Sequence, residues 1–382
     1  MEFIKKNRLV IINILILTVG LLIFTFATIS FKRHEKYQTS YVVRDNVTRV
    51  EMLSDYSPHL KGTKADTEIY VFEGSEPGAS MLILGGTHGN EPSGNLAATV
   101  VLENIEVDKG TIYVITETNK SGLSNTLAQE GVVQFYNIET DFGERTFKFG
   151  SRMTSFTDQW PNPEIYVHPQ SGQKLSSNDA GNLNRAYPGK LKGTLTEQIA
   201  YGIIALINEN KITITLDMHE ASPEYLTNNA LVAHNKPETQ QVGAKALVNL
   251  WLTGVSDITL ETSPVNLRGL SHREIGDYTD TLVFLAETSN ASQGRLRGAF
   301  TEQLILTGKD KYYEYAKKIG VDIYGEPTTI HERVGRHVAT IEALIKGYNE
   351  NVGKEEIIIK NLPSFSDLKD NGVGSYLLEV KK

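Results

Sequence analysis

The sequence predicts an α/β protein: a mixed, twisted sheet flanked by helices and preceded by one membrane-spanning helix. Three observations carry this reading. An uncharged apolar run lies near the N-terminus, short apolar or β-branched runs alternate with helix-length amphipathic segments, and one of those runs ends in a glycine-rich turn. With 382 residues, 40% hydrophobic and 22% charged, the chain can bury a sizeable core. A formal net charge of -8 lacks the phosphate-neutralising surface that nucleic-acid binding requires, so no nucleic-acid partner is expected. Cysteine is absent, which excludes disulfides, thiolate metal sites and a thiol nucleophile. Any metal site falls to histidines and carboxylates.

Taken in order, residues 1–8 form a short tail, and 9–31 run without a charge for the roughly 20 residues a helix needs to cross a bilayer. A cleavable signal peptide is the rival reading, but Ala27-Thr28-Ile29-Ser30 fits an A-x-A-like site poorly. Lys5, Lys6 and Arg8 before the helix nearly balance Lys32, Arg33 and Lys36 after it, so orientation rests on the likeness to a signal anchor. The expectation is a single-pass protein with its large domain outside the cytoplasm. Residues 32–62 are polar and read as a stalk or leading subdomain, 63–325 as the catalytic domain, and 326–382 as a C-terminal helix and tail. Strands are expected at Glu68–Phe72, Met81–Leu84, Thr111–Thr116, Ile212–Leu216, Ala230–Ala233, Leu282–Ala286 and Ile357–Ile359. Helices are expected at Asn95–Ile105, Glu197–Asn208, Thr239–Leu252 and Glu332–Tyr348. The stretch 117–192 has little periodicity, and a connection that long is usually functional.

Chemistry-bearing residues gather in three places. In MLILGGTHGNEPSG (81–94), His88 and Glu91 stand three apart in the turn after a strand, a spacing that lets them converge where the backbone begins to coil. A phosphate cradle is disfavoured there, because GxxxxGK[ST] is absent and Glu91 repels anions. A plain surface turn stays open. In TITLDMHEAS (213–222), strand alternation puts Asp217 and His219 on one face and Glu220 on the other. Asp217 is a candidate partner for a ligand imidazole, or else a solvated strand carboxylate. Two histidines and a glutamate fill three positions of a zinc site and leave one open for water, as in catalytic sites. Such a site needs a base to take the proton of the water, and Glu287, after the strand-like LVFLA, is the best-placed carboxylate. Finally, Asn184-Arg185 in GNLNRAYPG offers an amide and a planar donor fork, suited to a substrate carboxylate or equally to a surface acid.

GGTHGNEPSG, NLNR, LDMHE and the late AET, in that order, resemble the succinylglutamate desuccinylase/aspartoacylase family of the zinc carboxypeptidase superfamily, over about residues 65 to 300. The resemblance implies a zinc-carboxypeptidase-like sheet and one Zn2+ held by His88, Glu91 and His219. It implies Glu287 as general base, and Asn184 and Arg185 on the substrate carboxylate. Asn119 resembles the Asn that opens the family's substrate loop. Two positions depart from the pattern. The family's Asp-Leu-Asn-Arg begins here with Asn182, and the arginine that the aspartoacylase pattern places five residues earlier is Ser177. Arg152 or Arg145 is then expected to polarise the carbonyl.

The leading expectation is a membrane-anchored zinc hydrolase that cleaves an amide bond of an N-acyl amino acid or peptide-like substrate bearing a carboxylate. A carboxypeptidase acting on peptide or cell-wall peptide is the alternative, and a catalytically silent tethered binding protein a more distant one. The other histidines, 168, 234, 272, 331 and 337, are expected to be surface or packing residues.

Overall fold

Thirteen strands occur among the described residues: β1 (Arg49–Met52), β2 (Glu68–Glu73), β3 (Glu76–Leu84), β4 (Glu106–Ile115), β5 (Phe135–Thr140), β6 (Gly143–Lys148), β7 (Ile165–Val167), β8 (Lys174–Ser176), β9 (Ile214–Ala221), β10 (Ala230–Ala233), β11 (Thr259–Thr262), β12 (Leu282–Ser289) and β13 (Ile358–Lys360). The computed structural model describes residues 6–127, 131–352 and 355–380. Most of the predicted tail, Lys5 included, and the last two residues of the chain lie outside the described residues. Nine strands form one mixed sheet in the order β1-β2-β4-β3-β9-β12-β10-β11, with β13 also paired to β4. Its centre, β4-β3-β9-β12, is parallel. β10 pairs antiparallel with β12, and β11 runs parallel to β10.

Alternation along the central strands builds two cores. Met81 and Ile83 of β3, Leu216 and Met218 of β9, and Phe284 and Ala286 of β12 face helices Pro92–Asn104, Pro237–Leu252 and Ile330–Val352. Leu82, Leu84 and Val283 face the other way, against helix Leu195–Glu209 and Ile275 of helix Ser271–Tyr278. Helix 195–209 starts where the sequence carries a capping box: Thr194 Oγ1 accepts from Glu197 N, and Glu197 Oε2 accepts from Thr194 N.

The apolar N-terminal run forms helix Arg8–Lys36, five residues longer at its C-terminal end than the predicted span, and is long and apolar enough to cross a membrane. A signal sequence meets the same criterion. A second, compact unit covers residues 39–382. β1 pairs antiparallel with β2, and Leu53 and Leu60 are fully buried in the core beside helix 195–209. Two apolar side chains in a polar stretch carry that packing, so composition masked it. The C-terminal region is equally part of the unit: β13 extends the sheet, and Val373 and Leu377 are buried.

One buried ion pair ties the last long helix to the sheet. Arg333 Nε lies 2.7 Å from Glu220 Oε1, both side chains fully buried, and Nη1 and Nη2 donate to Thr328 O and Ile305 O. Arg333→Leu leaves the Glu220 carboxylate buried without its cation, which costs about 3–5 kcal/mol. Urea unfolding is expected to show that loss, and a change below about 1 kcal/mol would contradict this role.

Candidate active site

The candidate centre sits at the C-terminal ends of three neighbouring parallel strands, β3, β9 and β12, the edge at which α/β sheets open a crevice. After Leu84 the chain turns at Gly86 with φ +69°, where a Cβ would meet Thr116 O at 2.9 Å. At Gly94 a Cβ would lie 2.6 Å from Met218 O, so only glycine lets helix 92–104 come this close to β9. Between the two glycines stand His88 and Glu91, the latter immediately before the helix-starting Pro92. On β9, His219 faces Glu287 of β12 in register.

His88 Nδ1 lies 2.8 Å from Glu91 Oε1, His219 Nδ1 lies 2.9 Å from Glu91 Oε2, and the two Nδ1 atoms are 3.2 Å apart. All three residues are buried. The far nitrogen of each ring meets an acceptor. His88 Nε2 is 2.7 Å from Asn182 Oδ1, and His219 Nε2 is 2.8 Å from Asp217 Oδ2 in a contact too bent for an aligned hydrogen bond. Each ring therefore keeps a proton on Nε2 and turns the Nδ1 lone pair inward. Two lone pairs and a carboxylate face one another, an arrangement stable only around a cation or a shared proton. Two imidazole nitrogens and one carboxylate oxygen are the donor set of an open zinc site. No other group of three or more such side chains gathers this closely among the described residues.

The electrostatics place the shared proton at His219. Burial opposes an imidazolium at His219, yet Asp217 and Glu91 outweigh it and hold its pKa well above the ordinary value. Glu91 is held well below the usual carboxylate range despite burial, by His88 and His219. Burial pushes His88 down to about 4, so that ring stays neutral. Asp217 is kept ionised against burial by His219 and by hydrogen bonds from Ser271 Oγ and Thr87 Oγ1, each at 2.6 Å. Burial raises Glu287 to about 7, the range suited to a general base, and its Oε2 has no protein partner.

The long stretch 117–192 delivers the rest. It contains the β5–β6 and β7–β8 hairpins. Gly89 N donates to Ser151 O and Gly89 O accepts from Gly150 N, which brings Arg152 to Glu91, Nη2 to Oε1 at 2.7 Å. Asn184 Oδ1 accepts from Ser271 N, and Arg185 Nη1 donates to Asn184 O. Arg152, Ser177, Asn184, Arg185, His219 and Glu287 all line one cavity of about 800 Å³. Arg145 does not reach it, because its guanidinium is engaged by both carboxylate oxygens of Glu103 and by Ser40 O and Leu378 O. Asn119 also fails to line it. That side chain is fully buried and caps the short helix Lys120–Leu123 through Gly122 N.

Two residues given no role from the sequence border the candidate site. His272, expected to be a surface or packing residue, lines the cavity with Nδ1 bound to Ser263 Oγ. Asn182 contacts His88 directly. Nothing local announced His272, whereas the NLNR motif flagged position 182 without showing what it touches. The Glu220 side chain points away as alternation predicts, while its backbone N–H donates to Glu91 Oε2 at 3.1 Å.

No family model and no curated protein matches the chain. Solved structures similar to it include the cell shape determinant Csd4 of Helicobacter pylori (15% identity, TM-score 0.46), matched over 79% of this chain and 58% of that one. A further Csd4 structure, of a protein described as a D,L-carboxypeptidase, is 14% identical with a TM-score of 0.42, over 76% and 54%. A succinylglutamate desuccinylase from Silicibacter is 14% identical with a TM-score of 0.36, over 69% and 64%. The chain thus spans less than two thirds of the length of each.

The geometry predicts that zinc at 100 times its Kd raises unfolding stability by about 2.7 kcal/mol. In His219→Ala the shift should vanish; an unchanged zinc-dependent rise in Tm in that variant would place the metal elsewhere.

Proposed function

We propose that the protein is a membrane-anchored, zinc-dependent hydrolase that cleaves an amide bond in an N-acyl amino acid or peptide-like substrate carrying a carboxylate. The observation that carries this reading is the inward-facing trio His88 Nδ1, Glu91 and His219 Nδ1, with the unpartnered Glu287 carboxylate in register beside it. A zinc ion held by the trio supplies Lewis acidity toward a water molecule and a carbonyl oxygen. Glu287 Oε2 takes the proton of the attacking water and returns it to the departing amine. Arg185, beside Asn184 in the cavity wall, pairs the substrate carboxylate, and Arg152 stabilises the negative charge that develops on the carbonyl oxygen. Arg152 rests on Glu91 in this arrangement, so it exchanges that partner for substrate.

A carboxypeptidase acting on peptide or cell-wall peptide is the second reading. A cavity of about 800 Å³, edged by the exposed side chains of Tyr225 and Leu226, favours it, since that is ample for a peptide and generous for an N-acyl amino acid. Helix 8–36 serves as the anchor in either case, with the hydrolase outside the cytoplasm.

Glu287→Gln is expected to keep zinc and lose about 10²–10⁴-fold in kcat, scored on a panel of N-acyl amino acids and short peptides with chelated enzyme as control. Turnover at the wild-type rate in that variant would remove Glu287 from the role of base. Protease added to intact cells should degrade the large unit; its protection would reverse the orientation.

A further inference from the structure

Asn182 stands where the resembling family carries an aspartate, and the structure gives that departure a physical meaning. Its side chain is 1% exposed and fixed at both ends. Oδ1 accepts from the backbone N–H of Asn184 at 2.8 Å, and Nδ2 donates to Asp179 Oδ1 at 2.9 Å. A backbone N–H only donates and a carboxylate only accepts, so the amide cannot be flipped. His88 Nε2, 2.7 Å from the same Oδ1, must therefore be the donor in that contact.

We propose that Asn182 is a positioning residue for the metal centre, an amide relay that connects the Asp179 carboxylate to His88 while keeping negative charge one link away from the ring. The chain of contacts runs Asp179 Oδ1, Asn182 Nδ2, Asn182 Oδ1, His88 Nε2. It holds His88 in the Nε2–H tautomer with the Nδ1 lone pair turned toward Glu91 and His219. His219 is backed differently, with the Asp217 carboxylate directly against its ring. The two imidazoles are thus unequal ligands, one supported by a charge and one by a neutral amide. The same oxygen that orients His88 also anchors Asn184 N, so the metal ligand and the loop carrying Asn184 and Arg185 share one acceptor. The inference rests on the metal-centre reading above. The bland alternative is that Asn182 only caps the single turn 183–185.

Zinc affinity of the full chain in detergent, measured by competition with a chromophoric chelator, separates these roles. Asn182→Ser keeps a short acceptor for Asn184 N but cannot reach His88. Asn182→Ala removes both contacts. Relay action predicts that each weakens zinc binding about 10–100-fold, whereas capping alone leaves the serine variant at the wild-type value. The exchange Asp179→Asn with Asn182→Asp preserves every hydrogen bond but sets the carboxylate directly on His88, and is expected to bind zinc more tightly than wild type. Melting of the metal-free proteins checks that the variants fold. Wild-type affinity in the serine variant, or weaker binding in the folded exchange variant, would overturn the proposal. Failure of the wild-type chain to bind zinc would instead sink the metal-centre reading, and this inference with it.

Discussion

Two imidazole nitrogens and a carboxylate within 3.2 Å of one another, nearly buried at the floor of the cavity, are the constraint around which the rest of the unit is arranged. They hold together only around a cation or a shared proton, because burial opposes each isolated charge. They stay together because three separate parts of the chain fix them: the glycine turn after β3, strand β9, and the loop that contacts the outer nitrogen of His88. The parallel register then puts Glu287 beside His219 with no further device.

The surroundings supply what the trio lacks. Asp217, braced by Ser271 and Thr87, backs one ring with a full charge; Asn182, braced by Asp179 and Asn184, backs the other with a dipole. Arg152 and Arg185 bring positive charge into the cavity, both from a stretch with little regular structure of its own. That stretch is held by backbone pairing to the turn carrying His88 and Glu91 through Gly89 and by a bridge between Met153 and Asn182. On the far face of β9, the buried Glu220–Arg333 pair anchors helix 330–352, while the Glu220 backbone N–H supports Glu91.

Much of this was legible in the sequence, and the reasons differ by element. The central strands were visible because buried parallel strands read as continuous apolar runs, and His219 and Asp217 share a face because alternation is a local property. His88 and Glu91 were visible because their spacing and the surrounding glycines sit in one short segment. The pairing of residues 49–52 with the sheet and the burial of Leu53 and Leu60 were hidden, since two leucines in a polar stretch give no periodic signal. Arg152 was the first candidate on paper and Arg145 its alternative; the Gly89 and Glu103 contacts separate the one that enters the cavity from the one that braces the fold. His272 was missed for the same reason, because its place depends on how helix 271–278 packs over β12. Asn119 carried a motif likeness; its Oδ1 caps a short helix, its Nδ2 has no protein partner, and it does not line the cavity.

Zinc-edge X-ray absorption of the metal-loaded chain reads directly the atoms that meet at the centre. Two imidazole nitrogens are expected at about 2.0–2.1 Å, with the remaining scatterers oxygen. A spectrum without imidazole scattering, or with oxygen neighbours only, would contradict a metal held by His88, Glu91 and His219.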